Sequence, residues 1–291
     1  MTDAPSVLNN YSKTMKNKLL LIDGHNLLFQ MFFGMPSKIT GRNGKAIQGV
    51  IGFIGALRKL HSMVSPTHVA VLFDSQTHNP RMEILDSYKA NRPNFDDMAD
   101  DENPFSQLRF IYSALDTLGI KHKEIENAEC DDVMASYALS PFCDTEIYIS
   151  SFDSDFFQLI SDRVKIIRYR GESTVICDES YIKEKLGISP NLYADFKSLT
   201  GDSADNIPGV RGIGKVSAAK LLLKYGSLQG ILDSSDNDRL VIAAKRETDI
   251  LLRNRALIKL DAHAPLPFTF DQLAYKENIP PTMETIRKIG L

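Results

Sequence analysis

Carboxylates are the residues of this sequence whose types and positions could do chemistry. Three apolar runs end in aspartate: LLLID at Asp23, VAVLFD at Asp74 and EIYISSFD at Asp153. Two further acidic motifs, AECDD and GDSADN, follow in regions of helical pattern. The candidate metal ligands in these motifs are Asp23, Asp74, Glu129, Asp131, Asp132, Asp153, Asp155, Asp202 and Asp205.

A cluster of so many carboxylates would require cations. Two carboxylates a few ångströms apart repel by about 4 kcal/mol at an effective dielectric near 20. Oxygen ligands without a neighbouring His or Cys group favour Mg²⁺ or Mn²⁺ over Zn²⁺. The number of candidate carboxylates exceeds what one octahedral ion that keeps its waters can use. We therefore predict two Mg²⁺ ions, which Mn²⁺ can replace, in an arrangement suited to phosphoryl displacement. Taken singly, each acid is better explained as a turn former, a helix cap or a group that complements a helix dipole; the set as a whole favours a metal site.

Short apolar runs alternating with helical patterns predict how these acids meet. The strands are expected at 18–23, 68–74, 146–153 and 164–169, with helical spacing between them. Such alternation predicts an α/β fold with a mostly parallel central sheet flanked by helices. Because ligands bind at the carboxyl ends of parallel strands, the acids are expected at one edge of this sheet.

The remaining segments predict a single domain with three additions. Residues 1–17 are expected to form a flexible tail ahead of a domain at 18–291. The charged segment at about 78–104 predicts an exposed excursion between a strand and a helix. From about Asp178 the pattern is helical, and no Pro, Gly or Ser linker separates this lobe from the sheet.

A glycine-rich stretch, GVRGIGKVS, lies in that lobe and comes close to a P-loop pattern. Val216 stands where the pattern needs a hydroxyl, and a polar segment rather than a buried strand precedes Gly209. We interpret the stretch as a tight turn between two helices, whose backbone N–H groups and following helix N-terminus hold a DNA phosphate. The alternative is an ordinary helix connection with two C-cap glycines.

Composition limits the classes of partner and compartment. The 291 residues carry 34 Lys and Arg against 37 Asp and Glu, so nucleic-acid binding must depend on local basic patches. Three cysteines without a CxxC pair favour a reducing compartment over a disulfide framework or a zinc site. No apolar run has the length of a membrane span, and the first residues lack the apolar centre of a signal peptide. We predict a soluble cytoplasmic protein without a membrane partner, associated with the nucleoid, and a monomer by default.

Six motifs in order resemble a known family. They are LLLIDGHNLLF, PTHVAVLFD, YKANRP, AECDDV, SSFDSDFFQLI and GDSADNIPGVRGIG. Together they are similar to the 5′ nuclease domain of bacterial DNA polymerase I and to the wider flap endonuclease family. The resemblance implies a PIN-like 5′ nuclease fold with a helical arch at about 78–104 and a helix-three-turn-helix lobe at about 187–235. Because no polymerase follows, it also implies a stand-alone 5′-3′ exonuclease and flap endonuclease.

The resemblance also assigns roles to individual residues. It implies that Asp23, Asp74, Glu129 and Asp131, with Asp132 nearby, serve a first metal ion, and that Asp153, Asp155, Asp202 and Asp205 serve a second. It implies that a 5′ single strand passes through the arch and that Tyr88, Lys89 and Arg92 in the arch have catalytic roles. The residues expected to contact DNA are Arg81, Lys197, Gly209, Gly212, Gly214, Lys215, Ser217 and Lys220. A K⁺ ion in the helix-three-turn-helix is a further implied ligand.

The sequence departs from the family pattern at four positions. Gln30 stands where relatives commonly have Arg, which puts one phosphate contact in doubt. Phe152 replaces a small residue, Cys130 replaces Ala, and Val216 replaces a common Lys beside Lys215.

We therefore predict a structure-specific 5′ nuclease that acts on 5′ flaps, 5′ ends and RNA-primed DNA during replication and repair. Lys89 and Arg92, three residues apart, would lie on one face of a helix beside Tyr88, a combination that suits single-stranded DNA. Two alternatives remain open. One is a structure-specific DNA-binding protein without catalysis, and the other is a metal-dependent ribonuclease of PIN-like architecture.

Overall fold

The computed structural model describes residues 16–42, 44–75, 80–90, 95, 98–126, 128–142 and 144–291. The predicted tail at 1–17 lies outside these residues except for Lys16 and Asn17. The predicted arch at 78–104 lies partly outside them, and Arg92 is among the residues not described. In the described part of the chain, no helix combines the length and apolar character needed to cross a bilayer.

A six-stranded sheet forms the centre of the molecule, with strand order β3-β2-β1-β4-β5-β6. Strands β1 to β5 pair in parallel, and β6 joins the edge antiparallel to β5. The strands are β1 Asn17–Asp23, β2 His68–Asp74, β3 Lys121–Ile125, β4 Thr145–Ser150, β5 Val164–Arg168 and β6 Val175–Cys177. The predicted fold class, α/β with a mostly parallel sheet, is confirmed.

Two strands of this six-stranded sheet, β3 and β6, were not predicted, and β4 ends earlier than expected. β3 has the sequence KHKEI, whose alternating exposed polar residues carry no apolar signal, and β6 is only three residues long. β4 ends at Ser150, so Asp153 lies three residues beyond the strand instead of terminating it. Where a strand ends depends on its pairing with neighbouring strands, and the residues SSFD at the end of the apolar run do not reveal that pairing.

Eleven α-helices flank the sheet or build the lobe in the described residues. They are α1 Gly24–Gly34, α2 Gln48–Val64, α3 Leu108–Leu118, α4 Cys130–Leu139, α5 Glu179–Leu186, α6 Tyr193–Thr200, α7 Lys215–Tyr225, α8 Leu228–Asp233, α9 Arg239–Arg246, α10 Thr248–Ile258 and α11 Thr282–Lys288. Helix α1 begins directly after β1, with the Asp23 carboxylate accepting a hydrogen bond from the Asn26 amide at 3.0 Å. No residue lies between the two elements, so no loop pattern marks the start of this helix.

The core lies on both faces of the sheet. On one face, α1, α2 and α3 pack with C-terminal residues such as Tyr275 and Ile286. On the other, α4 and the helical lobe share one buried cluster, in which Leu199 and Ile213 belong with Ile147 of the sheet. The last thirty residues, which carried no sequence signal, therefore complete the first of these cores.

The lobe contains a two-stranded hairpin that was not predicted. Strands β7 (Gly201–Asp202) and β8 (Ile207–Pro208) pair between α6 and α7. Gly201 has a φ of +77°, and a Cβ on Gly209 would lie 2.3 Å from the carbonyl carbon of Thr200. Glycine at 209 is therefore required for close backbone packing, in addition to any contact with a ligand.

The hairpin predicts opposite outcomes for two neighbouring glycines. Gly209→Ala should reduce the free energy of unfolding by about 1 to 3 kcal/mol, because the new methyl group overlaps the Thr200 backbone. Gly214→Ala should leave stability nearly unchanged, because no atom lies within 4 Å of the added Cβ. Denaturant unfolding of both variants checks this, and equal stability of the two would contradict the packing role of Gly209.

Candidate active site

The parallel sheet brings Asp23 and Asp74 to the same edge at the ends of the neighbouring strands β1 and β2. The loop after β4 then returns Asp153 to this edge through Ser151. The Ser151 hydroxyl donates to Asp23 at 2.8 Å and accepts from the Asp153 amide at 3.0 Å. Ser151 was not among the predicted site residues; its place in SSFD, between the strand and the acid, is the only signal the sequence offered.

A first group of acids lines a cavity of about 1040 Å³: Asp23, Asp74, Asp131 and Asp153. Burial, with added repulsion from Asp74 and Asp153, raises the pKa of Asp23 to about 7. Burial and the same neighbouring carboxylates raise the pKa of Asp131 well above its usual range. These acids destabilise each other's charge, as expected of a site that binds cations.

A second group consists of Asp155, Asp202 and Asp205, each of which places one carboxylate oxygen within 4.8 Å of an oxygen of the other two. Burial, followed by repulsion from Asp153, raises the pKa of Asp155 well above its ordinary value. Its buried Oδ1 has no hydrogen-bond partner among the described residues. Burial and repulsion from Asp205 and Asp202 also raise the pKa of Asp153, so this residue connects the two groups.

The chemistry of these two groups fits divalent cations. All of the ligand atoms are carboxylate oxygens, and His25 in the cavity wall packs between two phenylalanine rings. A divalent cation that prefers oxygen ligands would satisfy the unpaired buried oxygen of Asp155 and relieve the repulsion within both groups.

Glu129 and Asp132 are engaged by basic side chains. Arg81 forms ion pairs with both, at 2.8 Å for Asp132, and Lys89 Nζ lies 2.9 Å from Glu129 Oε1. Asp132 also accepts a hydrogen bond from the Asp261 amide at 2.8 Å. Arg81, predicted to contact DNA, is thus placed against the acids, and Asp132 has partners that the metal-ligand hypothesis did not foresee.

The segment with Tyr88 and Lys89 differs from the expected helix. These residues lie in a turn, and Lys89 has a φ of +57°, which a helix does not allow. Tyr88 is only 3% exposed, and its hydroxyl lies 3.5 Å from Glu129 Oε1. Its ring is therefore not available for stacking on a single strand in this conformation, so that part of the prediction is wrong for Tyr88.

A groove of about 940 Å³ runs from the second acid group to the lobe, and Lys197, Gly209, Gly214 and Lys215 line it. Lys197 forms an ion pair with Asp202, which places this predicted DNA contact beside the acids. Helix α7 begins at Lys215, and no side chain caps its N-terminus. Its first backbone N–H groups are therefore suited to a phosphate.

The other predicted DNA contacts of the lobe lie on α7 or in the turn before it. Lys220 is exposed and Ser217 half-buried on α7, and Gly212 has a φ of +89° in the preceding turn. Val216, where a lysine is common in the family, is 70% exposed, so it presents an apolar side chain beside Lys215.

Cys130, one of the departures from the family pattern, contacts the acid edge through its backbone and not through its thiol. Its thiol is fully buried, and burial raises its pKa well above the usual value. The contact with the site is made by its backbone, because the amide donates to Asp74 at 2.8 Å. An alanine at this position would make the same bond.

The raised acid pKa values predict how stability depends on pH in EDTA. Between the ordinary pKa of 3.8 and about 7, the folded protein holds a proton on Asp23 that the unfolded chain has lost. The free energy of unfolding therefore falls as pH rises through this window. Asp131→Asn should relieve the repulsion, and its melting temperature should exceed that of wild type by at least about 2 °C more at pH 8 than at pH 5.

Thermal melts of both proteins in EDTA measure this difference. The comparison with the variant is needed because burial lowers the pKa of His25, His61 and His68, which shifts stability in the opposite direction. Adding Mn²⁺ at pH 8 should raise the melting temperature of wild type more than that of Asp131→Asn. A difference between the two proteins that is independent of pH and of Mn²⁺ would contradict this account.

The sequence matches two family descriptions that together cover residues 18–280. These are "5'-3' exonuclease, N-terminal resolvase-like domain" at 18–187 and "5'-3' exonuclease, C-terminal SAM fold" at 188–280. Among curated relatives, DNA polymerase I of Thermus aquaticus is 34% identical over 259 residues, which is 88% of this chain and 30% of that protein. The thermostable DNA polymerase I of Thermus caldophilus is 36% identical over 223 residues, 76% of this chain and 26% of that protein. The chain thus spans less than a third of the length of these relatives.

Solved structures share the fold at low sequence identity. The T5 D15 protein co-crystallised with metal ions has a TM-score of 0.71 and 21% identity, covering 94% of this chain and 98% of that one. Human GEN1 in complex with Holliday junction DNA has a TM-score of 0.59 and 17% identity, covering 95% and 68%. With the acid-edged sheet and the family matches over most of its length, the chain belongs to the 5'-3' exonuclease family.

Proposed function

We propose that this chain is a structure-specific 5′ nuclease that hydrolyses DNA phosphodiesters at 5′ flaps and 5′ ends. The observation that carries the proposal is the pair of carboxylate groups connected by Asp153, at the sheet edge where a groove from the helical lobe ends. Removal of flaps and RNA primers during replication and repair is the process in which such an activity is used.

The two groups would hold divalent metal ions, which we propose to be two Mg²⁺ with Mn²⁺ as a substitute. Asp23, Asp74 and Asp131 are the candidates for one ion, Asp155, Asp202 and Asp205 for the other, and Asp153 lies between them. Bound ions of this type supply an activated water and stabilise the leaving oxygen of a phosphodiester. Support comes from the T5 D15 flap endonuclease, a protein of the same fold that has been crystallised with DNA and metal ions.

The basic side chains at the acid edge would act on the phosphate. Lys89 lies on the wall of the cavity that the first acid group lines. Its ammonium would exchange Glu129 for a phosphate oxygen of the substrate, because both are anionic hydrogen-bond acceptors. Arg92, outside the described residues, is proposed to act beside it, with Arg81 holding Glu129 and Asp132 in place.

The lobe would hold the duplex through its backbone. The N–H groups at the start of α7, with Lys215, Ser217 and Lys220, suit phosphate oxygens and read no base sequence. A K⁺ ion bound in the turn around Gly212 is part of this proposal. We further propose that the protein is a monomer and is located in the cytoplasm. The proposed DNA substrate supports the cytoplasmic location.

Replacing acids of either group should abolish cleavage without abolishing binding. Asp153→Asn and Asp202→Asn are each expected to reduce the rate of flap cleavage in Mg²⁺ by at least about 100-fold, since loss of a supporting contact alone costs 10- to 100-fold. Cleavage of a 5′-labelled flap duplex measures the rate, and binding in Ca²⁺ measures affinity. Asp116→Asn, whose side chain is 76% exposed on α3, is the matched control and should cut like wild type.

The same assay distinguishes the alternatives. Wild type that binds the flap and fails to cut it with any divalent metal would establish a DNA-binding protein without catalysis. Wild type that cuts an RNA flap and leaves the DNA flap intact would establish a ribonuclease. Either result overturns the proposal.

Lys89 predicts a separate effect on catalysis. Lys89→Met should reduce the single-turnover cleavage rate by about 100-fold, because it removes one cation from the reacting phosphate. Binding in Ca²⁺ should weaken by less than about tenfold, the value of one phosphate contact. Lys59→Met, an exposed lysine on α2, is the control. Equal cleavage by Lys89→Met and wild type would remove Lys89 from the reaction.

A further inference from the structure

We propose that Arg168 and Arg170, which pack against the ring of Phe152, each bind a DNA backbone phosphate beside the acid edge. We call these three residues the arginine platform. The inference rests on the proposed nuclease function and adds to it a binding element on the side of the sheet opposite the arch. Neither arginine lies in the motifs by which the sequence resembles its family.

The topology places the arginine platform at the acid edge. Strand β5 is parallel to β4, so its last residue, Arg168, lies at the same edge as the loop after β4. That loop carries Phe152 and, directly after it, Asp153. Arg170 lies two residues beyond the strand, in the turn that leads to β6.

Aromatic rings hold both guanidinium groups. The guanidinium carbon of Arg168 lies 4.8 Å from the centre of the Phe157 ring and 5.7 Å from that of Phe152. The guanidinium carbon of Arg170 lies 4.9 Å from the Phe152 ring centre. A guanidinium held over a ring keeps its in-plane N–H donors for other partners, which is why stacked arginines suit phosphate recognition.

Helix α1 fixes the platform in place. The Phe152 amide donates to Asn26 Oδ1 at 3.0 Å, and the Gln30 side-chain amide donates to the Tyr169 carbonyl. Asn26 and Gln30 are four residues apart and therefore lie on one face of the helix. Both the ring and the backbone between the two arginines are thus anchored before any ligand arrives, which lowers the entropic cost of binding.

No carboxylate in the described part of the chain pairs with the platform. Among the described residues, neither Arg168 nor Arg170 forms an ion pair with a carboxylate, whereas Arg81, Lys89 and Lys197 at the same edge all do. Arg168 Nη2 donates to the Phe152 carbonyl at 2.9 Å, but its buried Nε has no acceptor in the described part of the chain. Two guanidinium groups without a carboxylate partner among the described residues are suited to an anionic oxygen of a ligand.

The surroundings of Arg168 identify the anion as a phosphate of the bound duplex. Arg168 lines the groove that leads from the acids to the lobe, together with Lys185 of α5 and Lys215 at the start of α7. A strand whose phosphates contact the N-terminus of α7 and which reaches Asp153 along this groove must pass Arg168. Free anions and single-stranded flaps would lack the contacts with the lobe.

A purely structural role for Arg168 is the competing explanation. Its bond to the Phe152 carbonyl orients the backbone next to Asp153, so loss of Arg168 could reduce cleavage without any contact with DNA. The salt dependence of binding separates the two. Each lost phosphate contact with a duplex lowers the slope of log K against log salt by about 0.9, and loss of a positioning bond does not.

The experiment measures binding of a 5′ flap duplex in Ca²⁺ at several salt concentrations for wild type, Arg168→Met, Arg170→Met and Arg168→Lys. We expect each Met variant to bind about 5- to 10-fold more weakly at 0.1 M salt and to lose about 0.9 from the slope. Arg168→Lys should keep the slope. Arg58→Met, which removes an exposed charge from α2 at the opposite edge of the sheet, should match wild type in both values.

Arg170 keeps the test decisive if Arg168→Met unfolds, because Arg170 is exposed and donates no bond to the Phe152 loop. Unchanged affinity and slope in Arg170→Met, or weaker binding by Arg168→Met with the wild-type slope, would overturn the proposal. Cleavage by wild type reports separately on the nuclease function. If wild type cuts the flap and the Met variants keep its salt slope, the platform fails and the proposed function stands; if wild type neither binds nor cuts DNA, both fail.

Discussion

Repulsion among buried carboxylates at one sheet edge is the constraint on which the rest of this structure depends. The strands that deliver the acids are buried on both faces, so their ends cannot be moved apart without disrupting the core. Burial of these side chains, with the repulsion between them, raises the pKa values of Asp23, Asp131 and Asp155. Such an edge needs either protons on its acids or cations placed close to it.

The protein supplies some of those cations from segments that must also act on the substrate. Lys89 connects Glu129 to the second acid group, with its ammonium on Glu129 and its backbone amide donating to the Asp205 carbonyl at 3.2 Å. The Asn206 side chain adds a bond to the Ser87 carbonyl at 3.0 Å. The turn that contains Ser87 and Lys89 is thereby tied to the lobe, so the position of this turn and the charge state of the acids are coupled by direct contacts.

The sequence predicted what depends on local pattern and missed what depends on distant partners. β1 and β2 are continuous apolar runs, and their final aspartates follow from the parallel topology. β3 is polar, so its sequence carries no strand signal. It is a strand because it pairs with β2. The burial of Tyr88 could not be predicted either, because its site is formed by Glu129 and by Ile207, which are distant in sequence. For the same reason, the roles of Arg81 and Lys197 as partners of acids were missed.

The departures from the family pattern illustrate the same limit. In the sequence, Gln30 and Phe152 are two unrelated changes, one losing a charge and the other adding bulk. In the structure they meet: Gln30 binds the Tyr169 carbonyl, and Phe152 lies beneath Arg168 and Arg170 on either side of that residue. A lysine or arginine at position 30 would add a third positive charge next to the segment that carries Arg168 and Arg170. The neutral amide is therefore the residue that this arrangement requires, and the positive charge has a place on β5 and its turn instead of on α1.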